Sequence, residues 1–292
     1  MKPAPFKYHD PKTLSELVEL MSNLEDAKIL AGGQSLMPMM NMRYVTPEDV
    51  IDINGVNELD FIKLENDHLT IGSMTRQKDI LSNQEIFDTA PIFKEALNHV
   101  GHIQTRSRGT IGGSLCHLDP SAEIPALASL YDASLTVVNR QGSREIPIDE
   151  WVLAYMMPSI SEEEILTSIS IPVWKNPHGY AFIEFARRHG DFAVCGAGTL
   201  VEIDANDIIS KVAIVVAGVD VKPLRLSTLE SDLIGKKATK DTLEYAYSSA
   251  KKIEAISDVY FSTKYRQRLA GTMVKRSLEV AIERARIINN DG

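Results

Sequence analysis

Apolar and polar positions recur along this chain in two rhythms, one helical and one strand-like, and the switches between them outline three units. Near the N-terminus, Leu14, Leu17, Val18 and Met21 fall at i, i+3, i+4 and i+7, on one face of a helix. Thr13, with Glu16 three residues on, forms a capping box ahead of that helix. Residues 28–31 are a short apolar strand that runs into Gly32-Gly33, and residues 50–53 are another, closed by Asn54-Gly55. These elements predict a small α/β unit over residues 1–57.

A second unit follows over residues 58–177. Its pattern predicts a strand at 68–72, helices at 75–81, 92–100 and 124–131, and strands at 135–138 and 165–171, the last two by their β-branched content. Pro172, Pro177 and Gly179 punctuate the exit and place a boundary near 178. The third unit, 178–292, has strand-like runs at 180–185, 194–203 and 212–219. Polar turns at 187–190 and 204–207 separate them, which predicts an antiparallel meander. Helices at 240–253 and 265–288 close the chain, the latter carrying Tyr265, Leu269, Met273, Arg276 and Val280 along one face. The fold class expected is α+β.

Composition narrows the function. With 292 residues, 44% hydrophobic and 24% charged, the chain is long enough for a sizeable core and has ordinary globular proportions. No apolar run approaches the ~20 residues of a membrane span. The start, Met1 to Phe6, has no apolar stretch behind Lys2, so no signal peptide is expected. A net charge of −9 argues against nucleic-acid backbone binding as the main role. The two cysteines, Cys116 and Cys195, form no C-x-x-C, so this chain alone builds neither a zinc ribbon nor an iron–sulfur cluster. A reduced cytoplasmic compartment is the expectation.

The candidate chemistry lies in two glycine pairs. One is Ala31-Gly32-Gly33-Gln34-Ser35-Leu36 and the other is Thr110-Ile111-Gly112-Gly113-Ser114. Consecutive glycines let main-chain N–H groups approach an anion, because no Cβ intervenes. One such loop is ordinarily a turn; two suggest opposite walls of one pyrophosphate cradle. The second pair is followed by His117, Asp119 and Glu123, which with Ser114 supply the polar groups a diphosphate and a ribose need. No G-x-G-x-x-G follows a strand and no G-x-x-x-x-G-K-[ST] is present, which excludes the usual Rossmann and P-loop signatures; Gly196-Ala197-Gly198 lacks the third glycine. Cys116, His117, Asp119 and Glu123 match no standard metal spacing. Ser114, His117 and Asp119 are too close in sequence for a hydrolase triad. His99 and His102 read as a helix end. Residues 187–192, with Arg187, Arg188 and Phe192, read either as a charged hairpin tip or as a contact whose aromatic ring covers a flat heterocycle.

These residues, taken together, resemble the FAD-binding medium subunit of the molybdenum hydroxylases, the group that includes aerobic carbon monoxide dehydrogenase and shares its flavin domain with xanthine dehydrogenase. The likeness rests on Pro3-Ala4-Pro5-Phe6, both glycine pairs, His117-Leu118-Asp119-Pro120-Ser121-Ala122-Glu123-Ile124-Pro125, Glu163-Glu164-Ile165-Leu166, Ala186-Arg187-Arg188-His189-Gly190-Asp191-Phe192-Ala193, and Tyr265-Arg266-Gln267-Arg268-Leu269-Ala270. It covers nearly the whole length.

The resemblance implies two N-terminal subdomains forming a PCMH-type FAD-binding domain, and a C-terminal subdomain of the carbon monoxide dehydrogenase flavoprotein type. It implies that the two glycine pairs hold the diphosphate. Ser114, His117, Asp119 and Glu123 would line the diphosphate and ribose, the Ile165-Leu166 backbone would meet the adenine, and Phe192 would lie beside the isoalloxazine. Many relatives carry Asn where Ser114 stands and Tyr where Phe192 stands, and some carry a Lys where this chain has Ile183 or Glu184. No catalytic acid or base and no metal ligand is expected here. Molybdopterin and 2Fe–2S clusters are expected on a large molybdenum subunit and a small iron–sulfur subunit, in a heterotrimer or its double. Two cysteines cannot ligate an additional four-thiolate cluster, which disfavours the 4-hydroxybenzoyl-CoA reductase branch. A flavin-free scaffold of the same fold and a stand-alone FAD oxidoreductase are the alternatives. The substrate and the final electron acceptor are not legible.

Overall fold

Helix α1 (Leu14–Asn23) starts where its capping residues predict, in a computed structural model that describes residues 1–291. The Thr13 hydroxyl accepts the Glu16 N–H at 3.2 Å. The Glu16 carboxylate reaches back one residue further than in a standard box, to the N–H of Lys12 at 2.7 Å. Strands β1 (Lys7–His9), β2 (Ala27–Leu30) and β3 (Asp49–Asp52) form a parallel sheet in the order β1-β3-β2, with α2 (Leu36–Asn41) directly after the first glycine pair. Leu17 and Met21 of α1 are buried on Ile51 and Ile53. Met74 and Ile165 complete that core from outside the unit, so the first unit closes against the second.

The second sheet is antiparallel. Its strands are β4 (Ile62–Glu65), β5 (His68–Gly72), β6 (Ser134–Asn139), β7 (Gly142–Pro147) and, after the short hairpin β8 (Val152–Ala154) and β9 (Met157–Pro158), β10 (Ile165–Pro172), in the order β4-β5-β10-β6-β7. Between β5 and β6 lie α3 (Gln77–Ser82), α4 (Gln84–Thr89), α5 (Ile92–His99), α6 (Ile103–Arg108), α7 (Ile111–His117) and α8 (Glu123–Leu130); α9 (Ile148–Trp151) follows β7. Trp151 is fully buried beneath α7, and its indole N–H donates to the Leu115 carbonyl at 2.8 Å, so the ring is buried with its polar edge satisfied.

The third sheet is the expected meander, β11 (Gly179–Phe185), β12 (Cys195–Ile203), β13 (Ile209–Ala217) and a short β14 (Leu224–Arg225). Helices α10 (Ser227–Leu233), α11 (Lys240–Ala250) and α12 (Thr263–Asp291) complete it. Every residue of β12 is buried. Ala197 and Val201 face α12, while Leu200 joins the core shared with α5 and α8. A strand covered on both faces reads as a continuous apolar run, which is how 194–203 reads.

The stripe expected on α12 is out of phase. Met273 is buried, but Arg276 is exposed and Tyr265, Leu269 and Val280 are only partly covered. The buried face is Ala270, Val274, Ser277, Leu278, Ala281 and Ala285. Small residues let this helix close on β11 and β12; the Ser277 hydroxyl is satisfied by Thr199 at 2.8 Å. A pattern that favours bulk picks the wrong face here. Pattern reading also passes over β1, β4, β7 and α6, whose faces are mostly exposed and carry little apolar signal.

Candidate cofactor site

The two glycine pairs meet. A Cβ on Gly32 would overlap the Arg108 carbonyl and lie 2.8 Å from Gly109 Cα, and one on Gly113 would lie 3.9 Å from Ala31 Cβ. A polar relay fixes this juxtaposition. Asn54 Nδ2 donates to the Ala31 carbonyl at 3.0 Å. Arg76 donates from one guanidinium nitrogen to Asn54 Oδ1 and from the other to the Arg108 carbonyl. One arginine thus joins the rim of the first loop to the residue two before Thr110.

The first pair lies in the turn between β2 and α2. Gly33 has φ +71°, a left-handed conformation that suits glycine. Among the described residues, no carbonyl or side-chain oxygen accepts from the N–H groups of Gly32, Gly33, Gln34, Ser35 or Leu36. Five consecutive backbone donors are therefore left without a protein acceptor.

The second pair differs from its expectation. Gly112 and Gly113 form the first turn of α7 rather than a loop. Their donors are already bonded. The N–H of Ile111 goes to Thr75 O at 3.1 Å, Gly112 to Ser73 O at 2.9 Å, Gly113 to Thr110 Oγ1 at 3.0 Å and Ser114 to Thr110 O at 3.2 Å. Gly112 is glycine because α7 lies directly on Ser73, whose Cβ would be 2.5 Å from an added Cβ. This wall contributes close approach and the polar face of a helix, not free backbone donors. That face carries Thr110, Gly113, Ser114 and His117, at i, i+3, i+4 and i+7.

His117 is half-buried, and burial holds its imidazole below the usual value, opposed by Asp119. Leu118 ends α7 at φ +50° and turns the chain into Asp119-Pro120. Asp119 Oδ1 accepts the Ser121 N–H at 2.8 Å. Glu123 opens α8 and is 8% exposed. Its carboxyl neighbours that of Glu184 on β11, a pairing that no local pattern signals.

Ile165 and Leu166 start β10 with side chains buried in two different cores. Their backbone is paired to β6, while pairing to β5 begins only at Ser168, after a register shift. One backbone edge at Leu166 therefore stands open beside Ser73 and α7. Phe192 is 73% exposed on the tip after β11. It does not join the two glycine walls directly. The tip rests on the α5–α6 elbow, with the His102 and His189 rings 6.3 Å apart, and α6 leads into Thr110. Arg187 lies over the Tyr260 ring, 4.9 Å to the centroid. Burial pushes both cysteine thiols up to about 12, so neither is a reactive thiolate.

Unaccepted N–H donors after β2 lie near the N-terminal turn of α7, a helix whose partly exposed side carries hydroxyl and imidazole groups. The fold thus brings two glycine pairs together in a chain without the Rossmann or P-loop signature. A family model described as "FAD binding domain in molybdopterin dehydrogenase" matches residues 4–174, and one described as "CO dehydrogenase flavoprotein C-terminal domain" matches residues 180–281. The chain is 35% identical over 288 residues to the 6-hydroxypseudooxynicotine dehydrogenase complex subunit alpha of Paenarthrobacter nicotinovorans, covering 98% of this chain and 97% of that one. It is 35% identical to the carbon monoxide dehydrogenase medium chain of Hydrogenophaga pseudoflava, covering 96% and 98%. A solved carbon monoxide dehydrogenase from Hydrogenophaga pseudoflava, lacking the Mo-pyranopterin moiety, superposes with a TM-score of 0.93 over 97% of this chain and 99% of that one. The chain belongs to the FAD-binding medium subunits of the molybdenum hydroxylases, a class of oxidoreductases.

Proposed function

We propose that residues 31–36 and the N-terminal face of α7 hold the diphosphate of FAD between the first and second units. The observation that carries this reading is the run of five unaccepted N–H groups close to a helix turn whose glycines allow near approach. Bound FAD supplies the redox chemistry, taking up electrons singly and releasing them as a pair. This chain supplies position and electrostatics. Gly32 to Leu36 donate to phosphate oxygens. Ser114 and His117, on one side of α7, line the diphosphate, with His117 neutral near pH 7 as both donor and acceptor. Asp119 and Glu123 line the ribose, the open backbone edge at Ile165 and Leu166 meets the adenine, and Phe192 stacks beside the isoalloxazine. The units 1–57 and 58–177 form the cofactor clamp, and 178–292 carries the aromatic tip.

In this reading the chain relays electrons from the iron–sulfur clusters of a small subunit to an external acceptor. Substrate oxidation takes place on a large molybdenum subunit, within a cytoplasmic heterotrimer or its double. The medium-chain and subunit names of its relatives support the partnership. No helix among the described residues is long and apolar enough to cross a membrane.

The test is purification of the native complex from its own cells. Flavin absorption, one FAD per chain, and co-purifying molybdenum and iron are expected. A flavin-free chain supports the scaffold alternative, and a lone chain that turns over substrate supports the stand-alone oxidoreductase.

A further inference from the structure

Glu123, at the start of α8, and Glu184, on β11, are neighbours whose carboxyls act on each other through hydrogen bonding and charge. Glu123 is 8% exposed, and one oxygen of Glu184 is buried without a hydrogen-bond partner among the described residues. Among those residues neither carboxyl forms an ion pair with a cation. Asp119, from the loop ahead of α8, adds a third negative neighbour. Cys195, across on β12, is an un-ionised thiol. Beyond it, Arg266 of α12 is committed to the carbonyls of Val194 and Gly218 and to Asp258. Arg187 lies over Tyr260, away from the pair. Two carboxyls in contact, desolvated and without a counter-ion, do not both ionise; they hold one proton between them. Burial and the neighbouring carboxyl accordingly push Glu123 well up, and burial pushes Glu184 up to about 7.

We propose that Glu184 is a positioning residue for the cofactor site: it shares a proton with Glu123, keeps that carboxyl uncharged, and so lets it face an anionic dinucleotide without repulsion and with an O–H to donate. This rests on the reading of the groove as the FAD site. A bound diphosphate stabilises the shared proton further, so FAD binding takes up protons where the unliganded pair begins to lose its own. Near and above pH 7 affinity then falls by up to about tenfold per pH unit, the slope for one linked proton. His117 and His99, both held below the usual imidazole value by burial, titrate beneath this window.

The test uses the full chain in the complex it purifies with, freed of flavin and titrated with FAD by calorimetry between about pH 6.5 and 8.5. Buffers of different ionisation enthalpy report the protons exchanged. Expected are net proton uptake by the native protein and little or none in Glu184→Gln, whose amide donates to Glu123 and lets it stay ionised. The unliganded native protein also loses melting temperature as pH rises from about 4.5 to about 7, because the folded state keeps a proton that the unfolded chain releases; Glu184→Gln flattens that slope. Tight FAD binding with no proton uptake, or with equal uptake in both proteins, overturns the proposal. No FAD binding by the native protein overturns instead the reading of the site. If Glu184→Gln does not fold, uptake in the native protein alone decides.

Discussion

Gly32-Gly33 and Gly112-Gly113 are the same dipeptide, each followed within two residues by a serine, yet they solve different problems. Gly33 takes a left-handed conformation and heads a run of donors left free. Gly112 and Gly113 are helical, and their donors are bonded to Ser73 and Thr110. The first pair matters for what it offers and the second for what it leaves out. A glycine doublet encodes only a missing Cβ. The strand or helix that abuts it decides whether the space becomes an anion nest or a packing contact.

The largest effects separate the packing role. Gly32→Ala drives a methyl into the Arg108 carbonyl, and Gly112→Ala drives one into Ser73, backbone included. Each should lose about 3 kcal/mol in denaturant unfolding, and Gly32→Ala should lose its flavin because the walls part. A Gly112→Ala protein as stable as the native one breaks the contrast.

Charge tests the binding role next. Gly33→Asp and Gly113→Asp place a carboxylate against the diphosphate and should abolish flavin retention. Gly33→Asp adds about 1–2 kcal/mol of backbone strain at its positive φ, whereas Gly113 carries none. Full flavin content in both variants would falsify the assignment of the cradle.

Capping sharpens the contrast further. Thr110 caps α7 through its side chain, while Ser35 makes no side-chain cap bond to α2. Thr110→Ala should cost about 1 kcal/mol, and Ser35→Ala close to nothing in the flavin-free protein. The smallest effect is acid sensitivity. The first loop has no titratable side chain, and the second wall has His117. Its lowered folded value means that the unfolded chain binds a proton first as pH falls through about 6.5, so stability drops there. His117→Gln should reduce that drop in pH-dependent melting, leaving the share due to His99 and His178, which burial also holds low.

Much of the fold was legible. The capping box, the meander and the strands at 68–72 and 165–171 lie where pattern put them, because caps, turns and β-branched runs act within a few residues. So was the end of the strand that leads into Gly32-Gly33, since Gly-Gly after a strand is a local signal. Four features were not. The stripe on α12 escaped because alanine and serine fill much of its buried face. The second glycine pair was read as a loop because nothing local shows Ser73 lying under it. Arg76 and Asn54 stand in unremarkable sequence, and only the meeting of three segments makes them the tie between the walls. Glu184 has the same history, since a carboxylate on a strand reads as a solvent-facing residue until α8 is laid against it.

The sequence by itself determined most of the elements and their order, because these depend on torsions and on hydrogen bonds that close within a turn. The tertiary structure decided which backbone donors stay free, which carboxyls must share a proton, and which helix face is inside. Those outcomes depend on distance and desolvation between residues far apart in the chain, and neither quantity exists until the units have packed.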